Sequence, residues 1–336
     1  MKTAIITGIA GQDGAFLAQL LISKGYKVYG ADRRRVDSYY WRLEDLGIRK
    51  EIEFVYFDLL EESNIANLIR KIQPDEFYNL AAQSFVKASF EMPLVTADID
   101  AMGVLRILEG IRNYSPKTKF YQASTSEMFG KVQEIPQTES TPFYPRSPYG
   151  VAKLFAHWMV TNYRESYGLF CCSGILFNHE SEYRGSEFVT QKIVEQAIEI
   201  KNSKREYIEL GNIDAKRDWG YAKDYVEGMY LMLQQDNPED FVLATNKTTT
   251  VREFVNLVFS RLGDEISWEG KGINEIGKSK NGKTIIKISD KYYRPAEVDL
   301  LIGDYKKAFK NLKWTPKTDL EKLVEIMVEK AEQRMG

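Results

Sequence analysis

The chain has 336 residues, enough to bury a sizeable core and to divide into two lobes. Hydrophobic residues make up 43% and charged residues 28%, and the formal net charge of -2 gives no overall pull toward nucleic acid or a membrane surface. The only cysteines, Cys171 and Cys172, are adjacent, so no disulfide framework is implied. Met1 and Lys2 lead straight into Ala4–Ile6, an apolar stretch far too short to span a bilayer and without the h-region of a signal peptide. A cytoplasmic protein is expected, and the triplets at Asn113 and Asn246 then match a glycosylation site by chance.

Ala4–Thr7 reads as a first strand, and Ala15–Ser23 follows with helical spacing through Phe16, Leu17, Leu20 and Leu21. Gly25 suits the end of that helix. Lys27–Ala31 and Phe54–Phe57 read as the next strands, and Glu61–Ile72 as an amphipathic helix with Ile65, Leu68, Ile69 and Ile72 on one face. Phe77–Leu80 and Phe120–Ala123 are strand-like and are separated by a long helical stretch, Val95–Tyr114. A helix over Tyr149–Tyr167 and a strand over Phe170–Leu176 complete the series. Strands alternating with helices at this spacing predict an α/β fold, a doubly wound, Rossmann-type parallel sheet. In such sheets ligands bind at the carboxyl ends of the strands.

Beyond about residue 180 the rhythm breaks. Phe188–Lys201, Tyr221–Leu233, Thr250–Leu262 and Leu320–Glu332 look helical, and Glu269–Lys287, rich in Gly, Lys and Asn, reads as a flexible loop. Residues 1–180 are therefore expected to form a dinucleotide-binding lobe, to which later segments can return. Residues 181–336 are expected to form a smaller mixed lobe over the sheet's carboxyl edge.

Gly8, Gly11 and Gly14 fall between the first strand and the first helix. Glycines there let the backbone approach a pyrophosphate, which sits on the positive helix N-terminus. The spacing is G-x-x-G-x-x-G, weak alone and strengthened by its strand-before, helix-after context. At the end of the second strand, Asp32 would hold a ribose hydroxyl pair, whereas Arg33, Arg34 and Arg35 would accept a 2′-phosphate. NADP is expected from the arginines, and Asp32 keeps NAD open.

Tyr149 and Lys153 form Y-x-x-x-K, which places both on one helix face, one turn apart. A nearby ammonium is expected to lower the tyrosine from its usual pKa of about 10, making it a proton acceptor for an alcohol. Ser124, Thr125, Ser126 and Glu127 follow a strand and so project at the sheet's carboxyl edge, where they serve as a polar turn or as acid/base groups. Beside the Tyr–Lys pair they supply what a carbonyl-forming, eliminating enzyme needs. Two histidines, His157 and His179, are too few for a metal site, and none is expected.

The glycine pattern, "NLAAQS", "QASTSEMFG" and Y-x-x-x-K, in this order, resemble the extended short-chain dehydrogenases/reductases. The longer runs "QASTSEMFGKVQEIPQTESTPFYPRSPYGVAK", "GILFNHES", "NIDAKRDWGYAKDYVE" and "YYRPAEVD" resemble the GDP-mannose 4,6-dehydratase family, and the match covers nearly the whole chain. The resemblance implies a hydro-lyase of nucleotide-sugar metabolism and deoxysugar biosynthesis, acting on GDP-mannose or a close GDP-sugar through bound NADP. It implies that Tyr149 is the alcohol base, Thr125 holds the oxygen, Glu127 abstracts the C5 proton, and Ser126 or Glu127 assists loss of the C6 hydroxyl. Ser126 stands where related nucleotide-sugar dehydratases have an aspartate.

The resemblance further implies a cofactor site built from Gly8, Gly11, Gln12, Asp13, Gly14, Asp32, Arg33, Arg34, Arg35, Asp58, Leu59, Leu80, Ala82, Ser84, Tyr149, Lys153, His179 and Arg184. It implies a substrate site from Ser84, Thr125, Glu127, Asn178, Glu180, Val189, Lys192, Gly211, Arg217, Arg294 and Glu297. A homodimer or homotetramer is implied, with no nucleic-acid or membrane partner. Glu182 and Tyr183 depart from the family pattern after "NHES", as does Arg35-Val36-Asp37 after the arginine pair. A GDP-manno-heptose substrate, another nucleotide-sugar epimerase or reductase, and a dinucleotide-sensing binder are the alternatives.

Overall fold

The short apolar runs of the first half become parallel strands in the structure, a computed structural model that describes residues 1–33, 40–292, 298 and 300–335. The strands are β1 (Thr3–Thr7), β2 (Lys27–Asp32), β3 (Ile52–Tyr56), β4 (Glu76–Asn79), β5 (Lys119–Thr125) and β6 (Cys171–Leu176). Between them run α1 (Gln12–Ser23), α2 (Trp41–Asp45), α3 (Glu62–Ile72), α4 (Val86–Glu91), α5 (Pro93–Ala97), α6 (Gly103–Tyr114) and α7 (Pro148–Tyr167). The remaining strands are β7 (Asn178–Glu180), β8 (Ile208–Leu210), β9 (Lys216–Arg217), β10 (Trp219–Tyr221), β11 (Phe241–Leu243), β12 (Thr249–Thr250), β13 (Ser267–Glu269), β14 (Ile276–Lys278) and β15 (Thr284–Ile288). The remaining helices are α8 (Val189–Lys201), α9 (Ala222–Leu233), α10 (Val251–Arg261), α11 (Lys306–Leu312) and α12 (Leu320–Met335).

Seven strands make the central sheet, in the order β11-β6-β5-β4-β1-β2-β3, every pair parallel. Side chains alternate across it. Ile5, Phe77, Phe120 and Cys171 enter one core with Ile65 and Ile69 of α3, Ile107 and Ile111 of α6 and Val160 of α7. Ile6, Tyr78, Tyr121 and Cys172 enter the other with Leu17 and Leu21 of α1 and Met229 of α9. Both faces are covered, which is why these strands read as unbroken apolar runs rather than alternating ones. Strand β11, deep in the second half of the chain, pairs with β6 and so completes the sheet's edge.

Helix ends follow local chemistry. Helix α7 begins at Ser147, whose Oγ accepts from the N–H of Gly150 at 3.0 Å, with Pro148 in the first turn, and ends at Gly168 in the left-handed region. Helix α10 has a capping box: Thr250 Oγ1 accepts from Glu253 N at 3.1 Å, and Glu253 Oε2 accepts from Thr250 N at 2.7 Å.

The structure corrects the reading of Glu269–Lys287 as a flexible loop. The stretch is a meander: β13, β14 and β15 pair antiparallel, and β15 adds parallel to β8. Ile285 and Ile286 are buried in the main core, and the glycines sit at its turns and one bulge, a pattern that composition alone reads as a loop. The stretch Val95–Tyr114 is not one helix either: α5 and α6 are joined by a π-turn over Asp98–Met102. Strand β5 runs on through Ser124 and Thr125, so these residues end the strand instead of following it. Among the described residues no helix is long and apolar enough to cross a membrane.

Candidate active site

The carboxyl ends of β1 to β6 open onto one cleft of about 1100 Å³. That exceeds the roughly 300–1,000 Å³ of an ordinary small-molecule site and leaves room for two nucleotide-sized ligands.

Strand β1 ends at Thr7 and α1 begins at Gln12, so residues 8–11 must turn sharply. Gly8 takes φ +68°, and a Cβ there would lie 3.0 Å from the Ala81 nitrogen. Gly11 donates its N–H to the Gly8 carbonyl at 2.9 Å, and a Cβ at Gly14 would strike that same oxygen at 2.4 Å. The turn therefore lies tight on the helix, and Gly11, Gln12 and Asp13 bring the start of α1 to the cleft wall. A pyrophosphate fits such a cradle, because backbone N–H groups and the helix dipole face it directly. Thr7 Oγ1 donates to Asn79 Oδ1 at 2.7 Å and accepts from Leu80 N and Ala81 N, both at 3.0 Å, while Asn79 Nδ2 donates to Gln122 Oε1 at 2.8 Å. These bonds staple the ends of β1, β4 and β5 below the cleft.

Asp13 puts a negative charge in the first turn of α1. His179 Nε2 lies 2.8 Å from Asp13 Oδ2, its Nδ1 lies 2.7 Å from the Phe177 carbonyl, and its ring stacks on Tyr225 at 4.7 Å. Burial opposes both charges, yet the pair prevails: Asp13 is held below the usual carboxylate range and His179 is raised. The Asp13 charge is thereby matched before any phosphate arrives. Gln12 adds a second link, donating to the His179 carbonyl at 2.9 Å and accepting from Ser181 Oγ at 2.8 Å. Arg42 of α2 adds a third, bridging the carbonyls of Ala10 at 3.0 Å and Tyr183 at 2.8 Å.

Asp32 ends β2 and accepts from Arg33 N at 2.8 Å. Asp58 and Leu59 follow β3, Leu80, Ala82 and Ser84 follow β4, and all of them, with Asp32 and Arg33, line the cleft. Arg34, Arg35, Arg294 and Glu297 lie outside the described residues.

Thr125, Ser126, Glu127, Tyr149 and Lys153 come together on the facing wall, each under a tenth exposed. Thr125 Oγ1 accepts from Glu127 N at 3.2 Å, which fixes the short turn after β5. The Lys153 ammonium lies 5.9 Å from the Tyr149 ring centre. The expected lowering of the Tyr149 pKa does not appear. Burial raises it first, then the carboxylates of Asp100 and Glu127; the Thr125 hydroxyl and Arg184 pull the other way without prevailing. Lys153 is itself lowered by burial, with Asp100 opposing.

Asp100 was not legible as a site residue. It lies in the π-turn, is 1% exposed, accepts from Gln83 N at 2.7 Å through Oδ1, and has no hydrogen-bond partner for Oδ2 among the described residues. Burial pushes its carboxyl up to about 6, against the pull of Lys153. Thr7, Asn79, Gln122 and Arg42 were also missed. For Thr7 and Asn79 the sequence signal was a polar residue at the end of an apolar strand; Gln122 inside β5 and Arg42 in α2 carried none.

At the other end of the cleft stand Asn178, Glu180, Arg184, Val189, Lys192, Gly211 and Arg217. Glu180 is 2% exposed, accepts from Thr190 Oγ1 at 2.6 Å and meets Arg184 Nε at 3.0 Å, so it anchors an internal network. Arg184 lies 3.5 Å over the Phe188 ring. Arg217 Nη1 donates to the Lys216 carbonyl at 3.0 Å. His157, the other histidine, packs edge-on to Phe143 with Nδ1 3.4 Å from Ser124 Oγ, in the core behind the wall. Among the described residues no group of three or more His, Cys, Asp or Glu could hold a metal ion.

Comparison with known proteins bears on this geometry. A family model described as GDP-mannose 4,6 dehydratase matches residues 5–327. GDP-mannose 4,6 dehydratase 2 of Caenorhabditis elegans is 52% identical over 336 residues, covering 97% of this chain and 88% of that protein. GDP-mannose 4,6-dehydratase of Yersinia enterocolitica is 50% identical over 348 residues, covering 98% and 93%. Among solved structures, the dTDP-glucose 4,6-dehydratase DesIV of Streptomyces venezuelae, with NAD and TYD bound, superposes with a TM-score of 0.84 at 19% identity, covering 98% of this chain and 97% of that one.

Proposed function

The chain belongs to the GDP-mannose 4,6-dehydratase family, and on that premise we propose how its own residues convert GDP-mannose to GDP-4-keto-6-deoxymannose and water. The observation that carries the reading is the convergence of Thr125, Ser126, Glu127, Tyr149 and Lys153 on one cleft with the glycine turn. A nicotinamide dinucleotide, when bound, supplies the ring that takes the hydrogen of the sugar's C4 and returns it to C6. Tyr149 accepts the proton of the C4 hydroxyl, and Lys153 favours the resulting phenolate. Thr125 donates to the C4 oxygen and positions it. The C4 ketone acidifies the C5 proton, which Glu127 removes. The C6 hydroxyl leaves as water with a proton from Ser126 or Glu127. Carbon 4 is oxidised, carbon 6 is reduced, and the sum is loss of water, the chemistry of a hydro-lyase.

The glycine turn, whose Cβ-free backbone and helix start fit a pyrophosphate, supports the dinucleotide site. Arg33 and the arginines that follow it support NADP, and Asp32 makes NAD the competitor. The exposed side chains of Val151, Phe155 and Trp158 form one face of α7, against which α5 packs with Leu94 also exposed; this face supports a homodimer, the unit from which a tetramer would be built. Two buried thiols that form no disulfide suit the cytosol.

Incubation with GDP-mannose, following the ketone product, tests the assignment. Ketone formation is expected. Turnover of GDP-manno-heptose alone would replace the substrate, and turnover of neither would overturn the reaction.

A further inference from the structure

Three ammonium groups approach one aromatic ring that lines the cleft, and only Lys192 belongs to the substrate site that the resemblance implies. Lys192 of α8 lies 3.6 Å from the Tyr292 ring centre, Lys291 lies 5.4 Å away, and Lys87 of α4 lies 5.9 Å away. Lys87, Lys192 and Tyr292 line the cleft. Two of the lysines donate to backbone: Lys87 Nζ to the Lys291 carbonyl at 3.1 Å and Lys192 Nζ to the Glu209 carbonyl at 2.7 Å. Among the described residues none of the three makes an ion pair with a carboxylate, although lysines elsewhere on this chain commonly do. Arg205, close enough to bear on Lys192, is matched by Glu199.

Such an arrangement is costly on its own. Like charges gathered at one point repel, and a tyrosine face offsets only about 0.5–2 kcal/mol per cation. Three cations without a carboxylate partner around one ring, two of them lining a ligand cleft, describe a site organised for an anion with several oxygens. Their placement joins two distant parts of the chain beside the cleft, because Lys87 belongs to the helices beside the central sheet and Lys291 to the strand-and-turn segment after β15.

We propose that Lys87, Lys192 and Lys291, gathered around Tyr292, form the docking station for the diphosphate of the nucleotide sugar, with Lys87 and Lys291 setting substrate affinity. The proposal rests on the GDP-sugar reading above and adds to it the two lysines that no sequence motif marked. One consequence concerns protons. Burial lowers Lys192 to about 8, helped by Arg205, Lys291 and Lys87, with Glu209 opposing. Above that pH the free protein carries a neutral amine there, so an arriving diphosphate restores the charge by taking up a proton.

The test uses the full-length protein with GDP as the probe, read by titration calorimetry beside turnover of GDP-mannose. Lys87→Gln and Lys291→Gln should each weaken GDP about tenfold, the weight of one charge-assisted hydrogen bond. Each should raise KM with kcat nearly unchanged, flatten the salt dependence of kcat/KM, and leave dinucleotide affinity as it was. Lys87→Arg should restore GDP binding. In wild-type protein near pH 8, the binding heat should depend on the buffer's ionisation enthalpy with the sign of proton uptake. Unchanged GDP affinity and salt dependence in both glutamine variants, while the wild type makes ketone, would overturn the docking station. If the wild type binds GDP in the predicted way but turns nothing over, the docking station stands and the reaction assignment falls.

Discussion

At Tyr149 the residue's own burial and two carboxylates, Asp100 and Glu127, push the phenol above its ordinary value. The base form is the phenolate, so a raised pKa means that kcat/KM for the free enzyme should climb as pH rises from neutral. Asp100→Asn removes one of the charges that raise it, and that limb of the profile should move to lower pH. An unmoved profile would mean that Asp100 does not bear on the base. Tyr149→Phe should cost about 10²- to 10⁴-fold in kcat, the usual worth of a positioned base, with dinucleotide binding retained. Glu127 separates from Tyr149 in timing. Glu127→Gln should permit the first oxidation and block elimination, so reduced dinucleotide accumulates and solvent deuterium fails to enter C5. Exchange at the wild-type rate would remove Glu127 from that step.

At the scale of elements, the site depends on where strands stop and helices start. Ser147 and Pro148 fix the first turn of α7, and Tyr149 stands one residue further on. Ser147→Ala should cost about 1 kcal/mol of stability, and a thermal melt would read it as a fall in Tm of a few degrees. Because the cap also aims Tyr149, kcat should fall beyond what lost folding accounts for. A melt shift with full activity would separate cap from catalysis.

The elements that sequence reasoning placed well were those with one strong local cause: apolar runs for β1, β4 and β6, and helical spacing for α3. The meander over 267–288 was missed because its strands are short and most of its stability comes from Ile285 and Ile286 packing into a core that lies elsewhere in sequence. The π-turn at Asp98–Met102 was missed because one extra residue in a helix leaves almost no trace in periodicity. That single turn hid Asp100. Glycines 8, 11 and 14, the Thr125–Glu127 turn and the Tyr–Lys pair were all legible and all reach the cleft, because each is a local motif fixed at a strand end or on one helix face. The lowered tyrosine pKa was misread. Spacing reveals a nearby ammonium but not the two carboxylates that the fold brings from 49 and 22 residues away.

At the scale of the whole molecule, the described residues of the covered fold leave a conspicuous apolar face. Val151, Phe155 and Trp158 stand exposed along α7, and Leu94 of α5, a helix that packs against α7, is 84% exposed. Monomers rarely leave such side chains in one patch. Trp158→Glu should therefore convert a dimer to a monomer in sedimentation equilibrium, with a folded far-UV spectrum retained; a wild-type monomer would contradict the proposed interface.

The central claim is that one cleft oxidises C4 and reduces C6 with the same hydrogen, never releasing it. GDP-mannose carrying tritium on C4 tests this most directly. The label should be recovered in the C6 methyl group of the product, whereas tritium appearing in the water would contradict the internal transfer.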